Sequence, residues 1–271
     1  MNKICILICA ILLTNILCKG QTISSEALKD SVYNKYLQNG AYNYSYLSQE
    51  WQKYLDTAIA ITPDNAYLWQ QKAMPYFKRQ KYEVGMKYLD KAVELSPMKY
   101  TDYRAFMKCI FAKNYADAIT DFVKAKKLKE GAFVMDHSYD FYLGLCYLQL
   151  NNFQEAKKYF QASIDQSRKT HGDDYVHFLD WFYLGVTQYE LEDFSLAISS
   201  FDKTLSTYKN FADAKYYQSK CLKKLNRNIE ADSLKKEAAT DLRAGHTFIE
   251  DNSYYEKYPY QISDWYLPKV K

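Results

Sequence analysis

The chain has 271 residues, of which 48% are apolar, 17% aromatic and 25% charged, with only 8 glycines and 5 prolines. This composition excludes a collagen-like chain and a generally disordered one, because a disordered chain lacks the apolar surface that folding requires. So few glycines and prolines also argue against an all-β protein, which needs many tight turns.

The first twenty residues have the pattern of a secretory signal peptide. Lys3 is followed by an unbroken apolar run, residues 4–13, and then by the small residues Cys18 and Gly20. A basic start, a short apolar run and a small-x-small ending are typical of a segment that is cleaved on export. We therefore expect residues 1–20 to be removed and the protein to reach the periplasm or the cell surface of a bacterium.

Two alternatives to cleavage after Gly20 stay open. In the first, Cys18 is acylated and becomes a lipidated N-terminus, although Leu17 stands where lipoproteins usually carry a small residue. In the second, the segment is retained as an anchor, although a membrane span needs about 20 apolar residues and this run is shorter. We expect contact with a membrane only if Cys18 is lipidated.

The charge balance without the signal peptide is close to neutral. Lys3 and Lys19 leave with it, so 36 basic residues become 34 against 32 acidic ones. These charges are spread along the chain without a basic stripe, so we expect no nucleic-acid partner. The remaining cysteines are odd in number and lack metal-binding spacing, so they are predicted to be small buried apolar residues. They are Cys109, Cys146 and Cys221.

Residues 21–64 are predicted to form N-terminal helices and one degenerate repeat. Leu28, Val32 and Tyr36 recur at helical spacing within residues 24–38. This spacing predicts an amphipathic helix that covers one end of the repeats that follow.

A motif of one aromatic residue, two variable residues and one small residue recurs through the rest of the chain. The small residues are Gly85, Ala118, Ala156 and Ala197, and Ala231 extends the series. The spacings between them are 33, 38, 41 and 34. Periods of this size indicate stacked repeats rather than one compact core.

The residues that flank each small position recur in phase as well. The flanking motifs are Trp69-x3-Ala73, Leu143-Gly144-x2-Tyr147 and Trp181-x2-Leu184-Gly185 upstream, and Leu89, Phe122, Phe160 and Phe201 downstream. This pattern resembles the tetratricopeptide repeat, a helix–turn–helix unit of about 34 residues. The resemblance implies an all-α fold, with residues 65–243 forming an α-solenoid of stacked repeats.

Several local features refine this expectation. Asn-rich breaks at residues 113–114, 151–152 and 225–228 predict the turns within repeats. The two longest spacings, 38 and 41, predict insertions near residues 131–137 and 167–174. Phe106 stands where the first helix of a repeat normally has a small residue, which predicts that this repeat packs more loosely or tilts.

Residues 244–271 form an aromatic C-terminal tail outside the repeats. The aromatic residues concerned are Phe248, Tyr254, Tyr255, Tyr258, Tyr260, Trp265 and Tyr266. A free tail would expose this apolar area to water, so we expect the tail to pack on the last repeats.

In the family that the chain resembles, the first helices of successive repeats line a concave groove that receives a peptide or a partner helix. The resemblance implies a partner-binding groove that is largely apolar and aromatic. Its predicted residues are Tyr67, Gln70, Met74, Phe77, Tyr103, Met107, Phe141, Leu145, Phe182, Val186, Tyr189, Tyr216 and Lys220. Aromatic residues and methionine are enriched at protein interfaces, but such residues also pack between helices, so both interpretations stay open.

No catalytic or metal-binding pattern is present in the sequence. The four histidines form neither an HExxH nor an H-x3-H pair, and the nucleotide-binding glycine motifs are missing. Residues 171–174, His-Gly-Asp-Asp, fall in a predicted connection where polar residues are the default. We therefore expect no catalytic residues, no metal site and no cofactor.

Three hypotheses for function follow. The first is a non-catalytic interaction scaffold in the cell envelope that binds a peptide or helix of a protein partner in its groove. The second is a structural subunit of an envelope assembly whose groove is filled by its own tail and whose convex face makes the contacts. The third, an enzyme, has no constellation of acids, bases and ligands to support it.

Overall fold

The computed structural model describes residues 25–267, and most of them are helical. The helices are α1 (Ser25–Val32), α2 (Gln49–Ile61), α3 (Ala66–Phe77), α4 (Tyr82–Leu95), α5 (Pro97–Phe106), α6 (Tyr115–Leu128), α7 (Tyr139–Gln149), α8 (Phe153–His171), α9 (Phe178–Glu190), α10 (Phe194–Thr207), α11 (Ala212–Lys224) and α12 (Asn228–Arg243). The predicted all-α fold is confirmed. The predicted signal peptide, including Cys18, lies outside the described residues.

The chain divides between Lys72 and Ala73 into two compact units. In the first unit, α1 continues into a π-helical turn (Tyr33–Gln38) and a short 3₁₀ segment, and α2 follows. The Ser48 side chain accepts a hydrogen bond from the Trp51 N–H and thereby caps α2. The buried core of this unit consists of Val32, Leu37, Ala41, Trp51, Leu55, Ala58, Ile59 and Leu68.

In the second unit, each helix from α4 to α12 packs against the next one along the chain. First helices of neighbouring hairpins also meet, since α9 contacts both α7 and α11. This is the stacked helix–turn–helix arrangement of an α-solenoid, as predicted. We number the hairpins repeats 1 to 5, from α3–α4 to α11–α12.

The turn within every repeat uses the same backbone conformation. One residue in each turn has a positive φ, between 55° and 62°. These residues are Gln80, Lys113, Asn151, Glu192 and Asn226, and each lies five positions before the small residue of its second helix. A left-handed residue reverses the chain between the two helices, and asparagine tolerates that conformation well. The turns predicted at residues 113–114, 151–152 and 225–228 are confirmed.

Small residues in the first helices allow bulky rings of the second helices to lie directly against the backbone. A Cβ atom added at Gly144 would be 2.8 Å from two atoms of the Phe160 ring, and one at Gly185 would be 2.7 Å from the Phe201 ring. Both rings are fully buried. In these two repeats, the small residue of the first helix therefore contacts the bulky aromatic residue of the second helix.

Replacement of Gly144 with alanine is expected to destabilise the protein by about 1–3 kcal/mol, because the buried Phe160 ring has no room to move aside. Urea unfolding followed by circular dichroism measures the change. Ser195→Ala, on an exposed position of α10, is the control for helix propensity and should cost no stability. Equal stabilities of the Gly144→Ala variant and the wild type would contradict the close contact.

Phe106 is fully buried, so its side chain is not loosely packed, while the alternative of a tilted repeat stays a prediction. Helix α5 ends at Phe106, and a π-helical turn, Met107–Phe111, follows. The Phe106 ring packs against the rings of Phe111 and Tyr142, at centroid distances of 6.1 and 5.5 Å. The wider turn accompanies the large ring at a position where the other repeats have a small residue.

A buried carboxylate joins the two helices of repeat 2. Both oxygens of Asp121 on α6 accept hydrogen bonds from Arg104 on α5, at 2.7 and 2.8 Å. The Lys108 ammonium also lies 2.8 Å from Asp121 Oδ2. Only 5% of the Asp121 side chain is exposed, so the two cations compensate a charge that water barely reaches.

The spacings of 38 and 41 between small residues are longer than the other two because the connections before α7 and α9 contain extra residues. Strands β1 (Phe133–Val134) and β2 (His137–Ser138) pair as an antiparallel hairpin just before α7. Before α9, the long helix α8 is followed by a 3₁₀ turn at Asp173–Tyr175. As a result, His137 and His177 stand at corresponding places in two consecutive repeats.

The three cysteines of the second unit, Cys109, Cys146 and Cys221, are free thiols buried within the described residues. The prediction that they serve as small apolar core residues is confirmed.

Candidate functional site

The tail, residues 244–267 of the described chain, lies on a surface formed by α9, α11 and the start of α7, which we call the first-helix face. It leaves α12, runs along repeats 5, 4 and 3, and contacts repeats 1 and 2 at residues 255–257. It then turns back and returns to repeat 5 at residues 262–266. The tail therefore passes along the first-helix face twice, in opposite directions.

Phe248 is the main apolar anchor of the outgoing part of the tail. Its ring is 5% exposed and lies 5.6 Å from the ring of Phe182 and 5.3 Å from that of Phe211. Tyr258, from the returning part, stacks on the other side at 5.5 Å. The two parts of the tail thus bury apolar area against each other as well as against the repeats.

The returning part of the tail is held by two tyrosine hydroxyls. The buried Tyr183 of α9 donates a hydrogen bond to the Pro259 carbonyl at 2.9 Å. Tyr260 donates one to Glu190 Oε1, also at 2.9 Å, while its ring lies 5.6 Å from that of Tyr217. Contacts to the backbone combined with side chains in apolar surroundings are the usual way in which proteins hold an extended segment.

Asp213, in the first turn of α11, binds both parts of the tail. Its Oδ2 accepts a hydrogen bond from the Thr247 hydroxyl at 2.8 Å, and its Oδ1 accepts one from the Ile262 N–H at 2.7 Å. Burial raises the pKa of this carboxyl to about 7, although both hydrogen bonds act in the opposite direction. Asp213 therefore connects the segment that leaves repeat 5 with the segment that returns to it.

The raised pKa of Asp213 predicts a specific pH dependence. Between its ordinary value of 3.8 and about 7, the folded state keeps a proton that the unfolded chain has lost, so stability falls as pH rises through this window. The slope from this group is at most about 1.4 kcal/mol per pH unit. We expect the Asp213→Asn variant to lack this decline when urea unfolding is measured from about pH 4 to about pH 7. Asp264→Asn, at an exposed carboxyl of the tail, should leave the wild-type slope unchanged.

Polar contacts hold the part of the tail that lies farthest from α12. The Lys78 ammonium sits 3.5 Å from the centre of the Tyr255 ring, a cation–π contact. The Tyr82 hydroxyl donates a hydrogen bond to Glu256, and Lys113 Nζ donates one to the Lys257 carbonyl at 2.7 Å. Burial lowers the pKa of Lys113. The tail thus reaches residues of repeats 1 and 2.

A cluster of two histidines and one glutamate lies where the tail crosses repeats 3 and 4. His137 Nε2 is 3.3 Å from Glu250 Oε2, and His177 Nε2 is 4.0 Å from Glu250 Oε1. Burial, together with the charge of His137, lowers the pKa of His177 to about 4. Burial alone would raise the pKa of Glu250, but the hydrogen bond with His137 and the charge of that histidine hold it below its ordinary value.

A cavity of about 270 Å³ opens beside this cluster. Both histidines line it, together with Ser163 and Asp180. Asp180 is buried, and its Oδ1 has no hydrogen-bond partner among residues 25–267. Burial raises the pKa of Asp180 to about 6.

The residues predicted to line the groove fall into two groups. Those that are buried are Met74, Phe77, Met107, Phe141, Leu145, Phe182, Val186 and Tyr216. Those with partial exposure are Tyr67, Gln70, Tyr103, Tyr189 and Lys220. A partner can therefore reach only the second group while the tail is in place.

The partly exposed residues are divided between the two units. Tyr67 and Gln70 belong to the first unit, where the Tyr67 and Tyr42 hydroxyls share a hydrogen bond of 2.8 Å. In the second unit, Tyr189 and Lys220 come together: the Lys220 ammonium lies 4.8 Å from the centre of the Tyr189 ring. It also lies 5.8 Å from the centre of the Tyr216 ring.

Of the predicted groove residues, Phe182 and Tyr216 contact aromatic rings of the tail, whereas the polar residues that bind the tail were not among the predicted site residues. Asp213, His137, His177 and Glu250 are polar, whereas the groove was predicted from apolar and aromatic positions. The two histidines carry a recognisable signal, because the interval between them nearly equals the repeat spacing at that point of the chain. Residues at corresponding places in stacked repeats lie side by side.

Comparison with known proteins supports the repeat assignment. Family models described as tetratricopeptide repeat match residues 66–97 and residues 135–210. These segments are tetratricopeptide repeats. They correspond to α3–α4 and to α7–α10, and α5–α6 and α11–α12 share the turn conformation of these tetratricopeptide repeats.

Several solved structures share the fold at low sequence identity, and one of them, YrrB, is described as a tetratricopeptide repeat protein. PilW, a type IV pilus biogenesis factor, is 17% identical with a TM-score of 0.62, over 78% of this chain and 94% of PilW. PilF of Pseudomonas aeruginosa is 16% identical with a TM-score of 0.59, over 83% and 97%. YrrB, described as having an unusual peptide-binding site, is 18% identical with a TM-score of 0.51, over 70% and 97%. No curated protein matches the sequence.

Each helix within residues 25–267 is either too short or too polar to cross a membrane.

Proposed function

We propose that the protein is a non-catalytic protein–protein interaction scaffold of the cell envelope, and that its first-helix face binds an extended segment of a partner in exchange for its own tail. One observation carries the proposal: an aromatic segment, which contains two short 3₁₀ turns (Asp251–Tyr254 and Asp264–Tyr266) but no α-helix, is bound on this face, and that segment is the tail itself. Phe248, Tyr258 and Ile262 of the tail are buried there, and three of its backbone atoms make the hydrogen bonds described above.

The chemistry of the face suits a partner segment that resembles the tail. Tyr183, Asp213 and Lys113 bind backbone atoms, which every peptide offers, whereas the pocket around Phe182 and Phe211 accepts an aromatic ring. Buried aromatic anchors dominate the energy of such interfaces. The structural similarity to YrrB, which is described as having a peptide-binding site, supports this interpretation.

The pattern of a signal peptide supports a location in the envelope. Residues 1–20 have the signal-peptide pattern, and the fold is shared with PilW, a pilus biogenesis factor. Fractionation of the native bacterium tests this part of the proposal. We expect the protein in the periplasmic or surface fraction, with Gln21 as its first residue. Acylation of Cys18 would establish the lipoprotein alternative, and a cytosolic chain that begins at Met1 would contradict export.

A second candidate is a structural subunit in which the tail fills the first-helix face permanently. Two observations favour it: Asp213 binds both parts of the tail, and apolar residues of second helices are exposed elsewhere. Leu196 is 53% exposed and Ile229 is 89% exposed, so the second helices offer apolar contacts for an assembly.

A protease site placed at Gly245 separates the two candidates. This glycine has a φ of +86° and open space around its Cα, so the loop there accepts an insertion. After cleavage, a fluorescent peptide with the sequence of residues 246–267 is added, and its anisotropy is measured. The scaffold proposal predicts that the labelled peptide replaces the cleaved tail and that uncleaved protein does not bind it.

Two variant peptides control for the mode of binding. A peptide with Phe248→Ala should bind at least tenfold more weakly, because an aromatic anchor contributes about 2 kcal/mol or more. A peptide with Tyr254→Ala should bind like the original, since Tyr254 is 86% exposed. A cleaved tail that stays bound and never exchanges would favour the structural subunit instead.

A further inference from the structure

We propose that His137, His177 and Glu250 form a binding site for a divalent transition metal, best suited to Zn²⁺, that ties the tail to the junction of repeats 3 and 4. The proposed metal site does not depend on exchange of the tail for a partner segment. It can therefore be tested separately from the scaffold proposal.

The geometry of the three side chains is close to that of a metal site. One possible ligand atom from each residue lies within 4.8 Å of the other two. In a tetrahedral zinc site, bonds of about 2.0–2.1 Å place the ligand atoms about 3.3 Å apart. The distance from His137 Nε2 to Glu250 Oε2 is already 3.3 Å, and that from His177 Nε2 to Glu250 Oε1 is 4.0 Å. His177 Nδ1 accepts a hydrogen bond from the Leu179 N–H at 3.3 Å, so the partly exposed His177 ring would have to rotate away from this contact to carry its proton on Nδ1 and bind the ion through Nε2.

The buried carboxylate of Asp180 is an independent indication of a cation. Asp180 lies three residues after His177 on α9 and lines the same cavity as both histidines. Its Oδ1 is buried without a hydrogen-bond partner among the described residues, which is costly for a polar atom. Metal-ligating histidines usually have such a carboxylate beside them, which orients the rings and balances charge. With Glu250, it supplies two negative charges to compensate one divalent ion.

The donor atoms favour zinc over magnesium and calcium. Two imidazole nitrogens suit zinc and its neighbours in the transition series, whereas magnesium and calcium prefer oxygen ligands alone. The cavity of about 270 Å³ beside the cluster leaves room for a water molecule as the fourth ligand. His177, with 36% of its side chain exposed, lies on the side from which an ion can enter.

Among the three proposed ligands, Glu250 belongs to the tail, whereas both histidines belong to the repeats. Metal binding would therefore affect whether the tail stays bound. A bound ion would join Glu250 to two histidines of the repeats. Metal at about 100 times its dissociation constant would lower the population of molecules with a released tail about 100-fold, if only the closed form binds it. Zinc would thus regulate whether the first-helix face is open.

Metal titration of the full chain, purified without a polyhistidine tag and treated with a chelator, tests the site. We expect one Zn²⁺ per chain by calorimetry, and a visible spectrum of tetrahedral cobalt when Co²⁺ is added instead. Glu250→Gln and His177→Gln should each weaken binding at least tenfold, since even partners outside the ligand set contribute about 10–100-fold in other zinc sites. His171→Gln is the matched control, because this histidine lines the same cavity but is not one of the three ligands.

Trypsin cleavage after Lys257, an exposed residue of the tail, provides the second readout. Zinc should slow this cleavage in the wild type and in His171→Gln, and should have no effect in Glu250→Gln. A folded wild-type chain that binds no zinc, or binding that persists in the Glu250→Gln, His177→Gln double variant, would overturn the site. Zinc binding without any change in the rate of tryptic cleavage would overturn the claim that the metal holds the tail on the repeats.

Discussion

Replacement of Phe248 with alanine is expected to release the tail from the first-helix face and to lower the free energy of unfolding by about 3–5 kcal/mol. The ring is buried between Phe182 and Phe211 of the repeats and Tyr258 of the returning tail, so its removal leaves a cavity that both parts of the tail share. Urea unfolding gives the stability, and the rate of tryptic cleavage at Lys257 reports release of the tail.

Tyr254→Ala is the control for this experiment. Tyr254 is also an aromatic residue of the tail, but 86% of it is exposed, so its loss should change stability by no more than about 0.5 kcal/mol. If both variants were cleaved at the same rate as the wild type, Phe248 would not be what holds the tail.

Replacement of Asp121 with asparagine is expected to cost about 3–5 kcal/mol, because it removes the buried anion that compensates Arg104 and Lys108, and Arg104 keeps only its contact with the exposed Asp90 at 2.8 Å. Asparagine has nearly the same shape, so the cost comes from Arg104 and Lys108, which lose the carboxylate that binds them at 2.7 to 2.8 Å. Urea unfolding measures this loss.

Asp193→Asn is the matched control on the protein surface. Asp193 pairs with Lys157 at 3.1 Å, but 43% and 36% of the two side chains are exposed. An ion pair of this kind contributes about 0–1 kcal/mol. Equal losses in the Asp121 and Asp193 variants would show that burial of the Asp121 charge does not matter.

The repeat architecture could be predicted from sequence because it depends on contacts between neighbours. The separation along the chain is the same between Gly144 and Phe160 as between Gly185 and Phe201. One sequence pattern therefore recurs from repeat to repeat, and each recurrence strengthens the prediction. The response to Phe106 could not be predicted in the same way. Its helix widened into a π-helical turn, which depends on the space around Tyr142 of the next repeat.

The site was less predictable because its contacts join distant residues. Aromatic density indicates that the tail is buried, but not that it runs out and back. Tyr82 and Glu256 stand near opposite ends of the second unit's sequence, so no pattern of neighbouring residues could predict their hydrogen bond. His137 and Glu250 are also far apart along the chain, and each looks like an ordinary polar residue of a connection. The apolar groove positions included Phe182, which contacts the tail, but not the polar residues that bind the tail as well.

The double passage of the tail changes how this solenoid can unfold. In most helical repeat arrays each unit touches only its neighbours, so terminal units open independently and fray first. Here Tyr82 of repeat 1 and Asp213 of repeat 5 bind the same segment. Opening either terminal repeat therefore breaks contacts that the other repeat also uses, which couples the two ends of the array. Residues 73–267 should therefore exchange their amide hydrogens as one cooperative unit rather than as a gradient from the two ends inward.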